Sequence, residues 1–405
     1  MTRVVVAEER DEEMPYIVAA AAVPSAGLRR GGIVDAHETA RSVEEAVRQV
    51  QVQSGITVNH ALFALGGTQM DARVSKGVVV VGRSDGEITA DDVERVLMAA
   101  QAISVPANKE IVHVLPRHYN VDEQSGIKDP IGMTGVRLEV EALVIDAPVQ
   151  NLRGIETVAQ HSGVTVEDVI AAPLATAEAV LDRQQRELGV TLVNIGAATT
   201  SVVVYEEGEL IHTAVLPVGA GHVTNDIAIG LRTAVDTAET VKLNYGVAIA
   251  AAVDRREECD LGAIDAREEG HVSRYHIAEI IQARMEEIFS LVQEELVKIG
   301  KAELLPAGAV LTGGGAKLPY VVNLAKNVLR LPVRIGEPLR MPGVFDRVDD
   351  PSYVTALGLI HWGLTHERSA DTGALGRAKD HVQTMTKPFT GIKDKLSMLF
   401  EKFFP

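Results

Sequence analysis

The chain has 405 residues, of which 46% are hydrophobic, 23% charged and only 4% aromatic. That length allows two or three domains, and the composition favours layered α/β folds over a disulfide scaffold, a β-sandwich or a disordered chain. The formal net charge of −17 argues against nucleic acid as a partner, because an acidic surface repels phosphate backbones.

Cysteine content and hydropathy indicate the compartment. Cys259 is the single cysteine and has acidic neighbours, so we expect an inert thiol in a reducing environment. The apolar run at 16–24 is far shorter than the roughly 18 residues a membrane span needs. Acidic residues at 8, 9 and 11 interrupt any early signal peptide. These features predict a cytoplasmic protein.

The first part of the chain has an α/β pattern. Residues 3–7, 16–23 and 57–65 read as strands, and 36–51 reads as a helix whose valines keep helical spacing. Glycines at 66 and 67 close the third strand.

A separate α+β segment follows, which we predict as an insertion over 78–158. It contains a strand at 77–81, a helix at 90–103 and two extended segments at 110–119 and 136–145. The stretch between the extended segments, 122–135, is rich in Gly, Pro and Asp and predicts a loop.

The α/β pattern resumes near Val169. We predict helices at 174–187, 223–246, 276–300, 319–329 and 351–364, a strand–turn–strand hairpin at 190–205 and a strand at 309–312. From Glu367 the chain turns polar, which predicts a linker.

The turn between the two strands of the predicted hairpin runs from Asn194 to Thr200. Its small residues let backbone N–H groups approach an anion, and two threonine hydroxyls can add hydrogen bonds. The pattern therefore fits a phosphate-binding turn, and the alternative, which the turn taken alone favours, is a plain β-hairpin with small turn residues.

A second turn has the sequence Thr312-Gly313-Gly314-Gly315-Ala316 and joins a predicted strand to a helix. Three glycines permit close backbone approach to a ligand, and a helix N-terminus favours negative charge. The alternative is a tight strand-to-helix turn with no ligand.

Glu239 and Lys242 are three residues apart on a predicted helix and share one face. They could bracket a ribose or a purine edge, or form a solvated salt bridge. The 12 histidines form no ligand set, so metal coordination by histidine is not expected. No Ser/His/Asp order suggests a catalytic triad.

The end of the chain is amphipathic. Five apolar residues form one helical stripe: Ile392, Leu396, Leu399, Phe400 and Phe403. Apolar bulk after a polar linker predicts a helix at a membrane surface, and a helix docked on the protein's own core is the alternative.

These motifs, in this order, resemble the phosphate and adenosine motifs of the actin-like ATPase superfamily. Four further stretches resemble FtsA, the bacterial cell-division protein of that superfamily: 129–139, 217–226, 311–319 and 331–336. An amphipathic tail after a linker is also an FtsA feature. The resemblance covers nearly the whole chain.

The resemblance implies a bilobed actin-like (ribonuclease-H-like) α/β fold with an inserted α+β subdomain. Its parts are a first lobe at 1–77 and 159–193, the insert at 78–158, a second lobe at 194–366 with a helical partner-binding subdomain near 225–301, a segment 351–366 that packs back on the first lobe, a linker at 367–390 and an amphipathic helix at 391–405.

It also implies ATP and Mg²⁺ in the cleft between the lobes. The cofactor-binding residues would be Gly196, Ala197, Ala198, Thr199, Thr200, Gly219, Glu239, Lys242, Gly313, Gly314, Gly315 and Ala316. Asn194 would reach the metal through water, and no catalytic base is identified.

Three departures from the family pattern affect the expected activity. The family's first phosphate loop, an Asp-x-Gly-Thr turn after a first strand, has no counterpart, which suggests a native start upstream of Met1 and a missing core strand. Asn194 stands where the superfamily usually has Asp, and Ala197 and Ala198 replace glycines. We expect nucleotide binding with weak or no hydrolysis, because an amide is a poorer partner for a hard cation than a carboxylate.

In function, the resemblance implies a protein that tethers FtsZ filaments to the cytoplasmic face of the cell membrane at the division septum. It would form filaments of its own and recruit later division proteins. The FtsZ C-terminal peptide would bind the helical subdomain, where Arg274, Arg284 and Lys301 are candidate cations.

Two other functions remain open from the residues. A small-molecule kinase of the same superfamily would need a catalytic carboxylate, which the sequence does not offer. A pilus-assembly scaffold related to FtsA would lack the membrane-binding tail.

Overall fold

A computed structural model of the chain describes residues 1–9, 15–268, 270–338, 341–343 and 348–371. The strands are β1 (Thr2–Glu8), β2 (Tyr16–Val23), β3 (Leu28–Arg29), β4 (Gly32–Ile33), β5 (His60–Leu65), β6 (Asp71–Val80), β7 (Lys109–Val121), β8 (Gln124–Ile127), β9 (Arg137–Pro148), β10 (Thr165–Ala171), β11 (Val190–Ile195), β12 (Thr200–Glu206), β13 (Glu209–Leu216), β14 (Glu258–Asp260), β15 (His271–Ser273), β16 (Ala309–Thr312) and β17 (Val333–Ile335). The helices are α1 (Ala36–Ser54), α2 (Ala90–Gln101), α3 (Val149–His161), α4 (Ala172–Val180), α5 (Arg183–Leu188), α6 (Ala220–Leu231), α7 (Val235–Tyr245), α8 (Arg274–Lys298), α9 (Val321–Leu329) and α10 (Val354–Asp371), with 3-10 turns at Ala250–Ala252 and Gly314–Lys317.

The second lobe is organised by a five-stranded sheet of order β13-β12-β11-β16-β17. β11 pairs antiparallel with β12 and parallel with β16, and β17 continues the parallel side. Side chains on the two faces of β11 enter different cores. Val193 and Ile195 pack with α8 and α9, whereas Val190 and Leu192 pack with α4. A strand covered on both faces is apolar on both faces, and β11 is apolar at four of its six positions, the exceptions being Thr191 and Asn194.

The first lobe contains two separate strand pairs. β1 and β2 form an antiparallel hairpin, and β5 pairs parallel with β10. Within the described residues no backbone ladder joins the two pairs. β2 packs on α1, where Ala19, Ala21 and Val50 form a small core.

The two lobes meet where α4 crosses α10. α4 directly follows β10, and α10 also contacts β1 and β5 of the first lobe. Gly358 of α10 lies against the backbone of Ala175 in α4, and Leu357 and Leu174 are fully buried beside them. The absence of a side chain at Gly358 is what lets the two helix backbones approach.

The inserted subdomain is a four-stranded antiparallel sheet of order β6-β9-β7-β8 with α2 packed on it. Its first strand begins at Asp71, earlier than the strand predicted at 77–81, and Asp71 pairs with Asp146 at the base of β9. Asp146 is fully buried and accepts a hydrogen bond from Lys109 at 2.8 Å.

Several predicted elements differ from the observed ones. The helix predicted at 174–187 is two helices, because Asp182 leaves helical geometry and caps α5 through a bond from the Gln185 N–H. The helix predicted at 223–246 is also divided, since Arg232 has a left-handed backbone at φ 57°. The predicted loop at 122–135 contains β8.

Three further differences are two elements that the sequence did not predict and one helix that is longer than predicted. α3 and β13 were not predicted, and α10 continues to Asp371, past the predicted start of the linker at 367. The remaining linker and the membrane stripe at Ile392, Leu396, Leu399, Phe400 and Phe403 lie outside the described residues. None of the described helices combines the length and apolar character that crossing a membrane requires.

A buried charge cluster ties α4 and α5 to α10. Glu178 of α4 accepts a hydrogen bond from Arg186 of α5 at 2.8 Å and lies 3.6 Å from the Nδ1 atom of His361 in α10. Its side chain is only 17% exposed. Burial by itself raises the pKa of Glu178, but His361 and Arg186 outweigh it and lower that pKa to about 2.

We expect this cluster to make stability depend on acid pH. Because the folded pKa of Glu178 is lower than its unfolded value of 4.5, its contribution is complete above pH 4.5 and is lost as the pH falls toward 2. The shift corresponds to about 3 kcal/mol. Glu178→Gln should lower the free energy of unfolding at pH 7 by a comparable amount and flatten its acid dependence, as measured by denaturant titration between pH 7 and pH 2.

Glu45 provides the matched control, because it forms an exposed pair with Arg48 on α1. Exposed ion pairs contribute little to stability, so Glu45→Gln should leave the free energy of unfolding nearly unchanged. Equal losses in the two variants would contradict the role given to Glu178.

Candidate functional site

The turn from Gly196 to Thr199 is held against the start of α6. The Gly196 N–H donates to the Thr199 carbonyl at 2.9 Å, which closes the turn. The Gly196 and Ala197 carbonyls accept hydrogen bonds from the N–H groups of Ala220 at 2.8 Å and Gly221 at 2.7 Å. The N–H groups at the start of α6 therefore hold the 196–199 turn in place.

Two glycines permit this close approach. A Cβ atom on Gly219 would lie 2.5 Å from the Gly196 carbonyl oxygen, and one on Gly221 would lie 2.8 Å from the Ala197 carbonyl oxygen. Contacts that short do not occur without backbone movement. Gly219, predicted as a cofactor contact, thus shapes the site by supporting the turn.

The turn leaves three consecutive donors free. The N–H groups of Ala197, Ala198 and Thr199 form no hydrogen bond to any described residue, and the first two residues are exposed. Successive free backbone N–H groups form a concavity suited to an anion. The backbone N–H groups that the sequence predicted for phosphate binding are therefore free to bind an anion.

Thr200 differs from this prediction. Its side chain is fully buried, and its hydroxyl donates to the Val218 carbonyl at 2.8 Å. That donor is already used to fix the strand after the turn, so the hydroxyl contact with phosphate predicted for Thr200 has no free hydrogen to supply it.

The glycine turn after β16 lies at the same edge of the sheet. β11 and β16 are parallel neighbours and Asn194 is in register with Thr312, so the segments after both strands emerge side by side, where ligands bind in open α/β sheets. Gly313 has φ 83°, and a Cβ there would lie 2.3 Å from the Asn194 Oδ1 atom. The sheet thereby brings together two motifs that are more than a hundred residues apart in sequence.

The members of the glycine turn have different roles. A Cβ on Gly315 would lie 2.4 Å from Ile195 Cγ2, and Ala316 is buried in the second-lobe core. The positions of these two residues are therefore set by internal packing, whereas the sequence predicted cofactor contacts for both Gly315 and Ala316. Gly314 is exposed and a Cβ there would meet no atom within 4 Å, so it is the member that faces open space.

Asn194 is half-buried at the end of β11, and its carboxamide forms no hydrogen bond to a described residue. The amide is free to bind a ligand or an ordered water. Over the described ranges, no group of three or more His, Cys, Asp or Glu side chains could hold a metal ion.

Glu239 and Lys242 of α7 form a cluster with Thr224 of α6. Lys242 Nζ donates to Glu239 at 2.6 Å, to the Thr224 hydroxyl at 2.8 Å and to the Ala220 carbonyl at 3.4 Å. Thr224 also donates to Glu239 at 2.5 Å. The pair joins α7 to α6, whose first residues hold the 196–199 turn. A salt bridge confined to one helix would make no such connection.

The electrostatics of this cluster favour an ionised carboxylate. Partial burial tends to raise the pKa of Glu239, but the hydrogen bonds from Lys242 and Thr224 outweigh it, and the net pKa is lowered. The Lys242 side chain is 12% exposed and the Glu239 side chain 44% exposed. Glu239 therefore presents a charged acceptor to solvent while Lys242 is held inside.

Sequence reasoning missed Thr224 and Ala220, which connect this pair to the turn. Both lie in the 217–226 stretch, and the four-residue spacing between them places them on one face of α6. That spacing, combined with the Glu239 and Lys242 spacing on the next helix, was the available signal.

The three cations predicted for partner binding are already paired. Arg274 donates to the Tyr245 carbonyl and pairs with Glu257, and Lys301 donates to Glu206 at 2.6 Å. Arg284 forms two bonds to Asp226 of α6, at 2.6 and 3.0 Å, and also pairs with Glu287. The i, i+3 spacing on α8 accounts for the pair with Glu287, whereas the two bonds to Asp226 connect α8 to α6. The three side chains do not form a set of free charges.

Comparison with known proteins identifies close sequence relatives. A family model described as "Cell division protein FtsA" matches residues 191–358, and one described as "SHS2 domain inserted in FTSA" matches residues 67–146. The chain is 38% identical over 341 residues to the cell division protein FtsA of Pseudomonas aeruginosa, which covers 84% of this chain and 81% of that one. It is 37% identical to the Bacillus subtilis protein of the same name, over 91% of this chain and 82% of that one.

Solved structures show a similar fold at low identity. A PilM–PilN type IV pilus biogenesis complex contains a chain that aligns with a TM-score of 0.64 and 16% identity, over 89% of this chain and 95% of that one. The ethanolamine utilization protein EutJ of Carboxydothermus hydrogenoformans aligns with a TM-score of 0.50 and 16% identity, over 89% and 86%. Together with the family matches, these confirm the predicted bilobed actin-like fold with its inserted α+β subdomain.

Proposed function

The chain belongs to the FtsA family of cell-division proteins, and from that premise we propose that it is a nucleotide-binding adaptor between FtsZ filaments and the membrane. Its place would be the cytoplasmic face of the cell membrane at the division septum. Family membership at 33–38% identity favours this function over that of a small-molecule kinase. The pilus protein is only 16% identical, so its similarity supports the fold and not a pilus-assembly function.

The observation that carries the nucleotide proposal is the meeting of two turns at one sheet edge. Ala197, Ala198 and Thr199 offer free N–H groups for phosphate oxygens, and Gly314 leaves open space beside them. Such donors suit the phosphates of ATP. Glu239 supplies an exposed acceptor for ribose hydroxyls near the same turn.

Mg²⁺ would enter with the phosphates, with Asn194 contacting it through water. An amide oxygen carries no formal charge and stabilises a divalent cation less than a carboxylate does. We therefore propose slow turnover, with steady-state phosphate release well below the roughly 1–100 s⁻¹ typical of phosphoryl-transfer enzymes.

The helical part of the second lobe is the proposed site for the FtsZ C-terminal peptide. Because Arg274, Arg284 and Lys301 each have an acidic partner, an acidic peptide would have to displace those carboxylates to bind them. Self-assembly and recruitment of later division proteins complete the proposed role and rest on family membership.

The tail supplies the proposed membrane contact. Residues 391–405 contain three lysines and two acidic residues, so attraction to anionic lipid, at roughly 1 kcal/mol per lysine, is partly cancelled. Burial of the five apolar residues in the stripe must therefore dominate, at about 1.5–3 kcal/mol for each fully buried side chain before ordering costs.

Phe400→Glu or Phe403→Glu should release the protein from anionic liposomes, because each places a charge in the apolar stripe. FtsZ should then no longer sediment with the vesicles, since its link to lipid is lost. Co-sedimentation of both proteins with liposomes measures the two effects together.

Met398→Glu is the matched control. The substitution adds the same charge, but Met398 lies on the opposite side of the helical projection from the stripe. It should retain most binding, and raising the salt concentration should weaken wild-type binding only partly. Retention of the phenylalanine variants, or complete release of the wild type by salt, would show that the apolar stripe is not the anchor.

A further inference from the structure

One side chain at the start of α6 fixes the backbone from which the helix begins. His222 is the third residue of α6, and its Nδ1 atom accepts a hydrogen bond from the Gly219 N–H at 3.1 Å. In return the His222 N–H donates to the Gly219 carbonyl at 2.9 Å. This reciprocal pair is the arrangement of a capping box, in which a side chain three residues into a helix binds the N-cap backbone. The imidazole of His222 therefore holds Gly219 in place.

The backbone that His222 holds also carries the phosphate turn. Gly219 is followed directly by Ala220 and Gly221, whose N–H groups bind the carbonyls of Gly196 and Ala197. A displacement of Gly219 would shift both of these donors relative to the turn. The three free N–H groups that we propose for phosphate binding would then lose their arrangement.

The hydrogen bond from Gly219 requires a neutral imidazole. A backbone N–H only donates, so the Nδ1 atom must be without hydrogen and the neutral ring carries its hydrogen on Nε2. A protonated ring has hydrogen on both nitrogens and offers no acceptor. It also places a positive charge at the positive end of the helix dipole of α6. Protonation of His222 therefore breaks its bond to Gly219.

The charged groups on and beside α6 are paired with one another. Glu239 and Lys242 of α7 pair at 2.6 Å, and despite partial burial the hydrogen bond from Lys242 lowers the pKa of Glu239. Asp226, one turn beyond His222, is bound at 2.6 and 3.0 Å by Arg284 of α8. Histidine is the side chain type that ordinarily exchanges its proton near neutral pH. His222 is therefore the group that connects the arrangement of the turn to pH.

We propose that His222 is a positioning residue for the nucleotide site and makes nucleotide binding depend on pH. The neutral ring holds the start of α6 against the phosphate turn without contacting the ligand, and protonation of the ring weakens ATP binding. Affinity should therefore be highest at alkaline pH and fall as the pH drops through the range in which histidine is protonated. The inference rests on the proposed nucleotide-binding function, and it adds regulation of the same site.

Two substitutions of His222 separate the acceptor from the titration. His222→Gln supplies the oxygen acceptor of an ordinary capping box and does not titrate, so it should bind ATP within about twofold of the wild type at pH 8. His222→Leu has no acceptor and should bind about fivefold more weakly, which is the factor that a lost helix cap corresponds to. A melting curve for each variant confirms folding.

The pH profile distinguishes positioning from a merely structural role. Calorimetric titration with ATP and Mg²⁺ between pH 8 and pH 5.5 should show a fall of about fivefold in wild-type affinity relative to His222→Gln. The ratio is the measured quantity because a phosphate group also takes up a proton in this range. His222→Leu should keep a constant ratio to His222→Gln. His276→Gln, at an exposed position on α8, is the matched control and should retain the wild-type profile.

Amide hydrogen exchange without nucleotide tests the positioning itself. In the free protein at pH 8, the amides of Ala220 and Gly221 should exchange about fivefold faster in His222→Leu than in the wild type. The His222→Gln variant should exchange at the wild-type rate.

Two results would overturn the inference. Equal ATP affinity and equal exchange in His222→Leu and the wild type would show that the ring does not position the turn. A wild-type affinity that rises relative to His222→Gln as the pH falls would show that the protonated ring attracts the phosphates directly. If the wild type binds no ATP at any pH, the nucleotide-binding proposal itself is wrong, whereas the exchange rates still decide whether His222 holds the turn.

Discussion

Gly358→Ala should destabilise the protein by about 3 kcal/mol, the largest effect we expect from the addition of one methyl group. A Cβ at this position would lie 1.6 Å from the carbonyl oxygen of Ala175 and 2.4 Å from its carbonyl carbon. Both atoms belong to the backbone of α4, so no rotamer change can relieve the clash and the two helices must separate. Chemical denaturation at pH 7 measures the loss.

Gly363→Ala is the control within the same helix. The added methyl group there would meet only the Cδ1 atom of Leu62, at 2.9 Å, and a side-chain end can move. Since both substitutions gain the same intrinsic helix propensity, the difference between them reports the contact with α4. A Gly358→Ala variant as stable as Gly363→Ala would show that α4 and α10 do not pack as described.

Gly314→Phe should weaken ATP binding by about a hundredfold or more, since a bulky side chain would fill the space beside the phosphate turn. The fold should be retained, because Gly314 lacks a positive φ and has no atom within 4 Å of an added Cβ. Calorimetric titration with ATP in the presence of Mg²⁺ measures the affinity, and a melting curve confirms folding.

Gly82→Phe matches this change at a distant site. Gly82 also has open space around an added Cβ and lacks a positive φ, but it lies in the inserted subdomain. The Gly82→Phe variant should bind ATP with the affinity of the wild type. Unchanged affinity in Gly314→Phe would mean that the glycine turn only redirects the chain after β16.

The sequence predicted the elements around the site better than the roles of individual residues. The spacing of small residues located both turns, and strands β11, β12 and β16 were placed almost to the residue. The use of each hydroxyl could not be predicted, because it depends on tertiary contacts. Thr199 and Thr200 are adjacent in sequence, yet only Thr200 turns inward to bond Val218.

Charge pairing across helices was equally hidden from the sequence. Arg284 has acidic residues within one turn on α8, and only Glu287 among them was found as a partner. Its bidentate partner, Asp226, is 58 residues away on α6. Local spacing identifies pairs on one helix, whereas pairs between helices require the packing arrangement to be known.

The way in which the inserted subdomain joins the first lobe has an evolutionary consequence. The chain leaves through β6 and returns through β9, and Asp71 and Asp146 are paired neighbours at that junction. Because the two attachment points lie side by side, the subdomain could be acquired, exchanged or lost in a single recombination event without rerouting the strands of its host. Insertions with adjacent ends are tolerated for this reason. The length and sequence of this subdomain can therefore change with little effect on how the strands of the two lobes are connected.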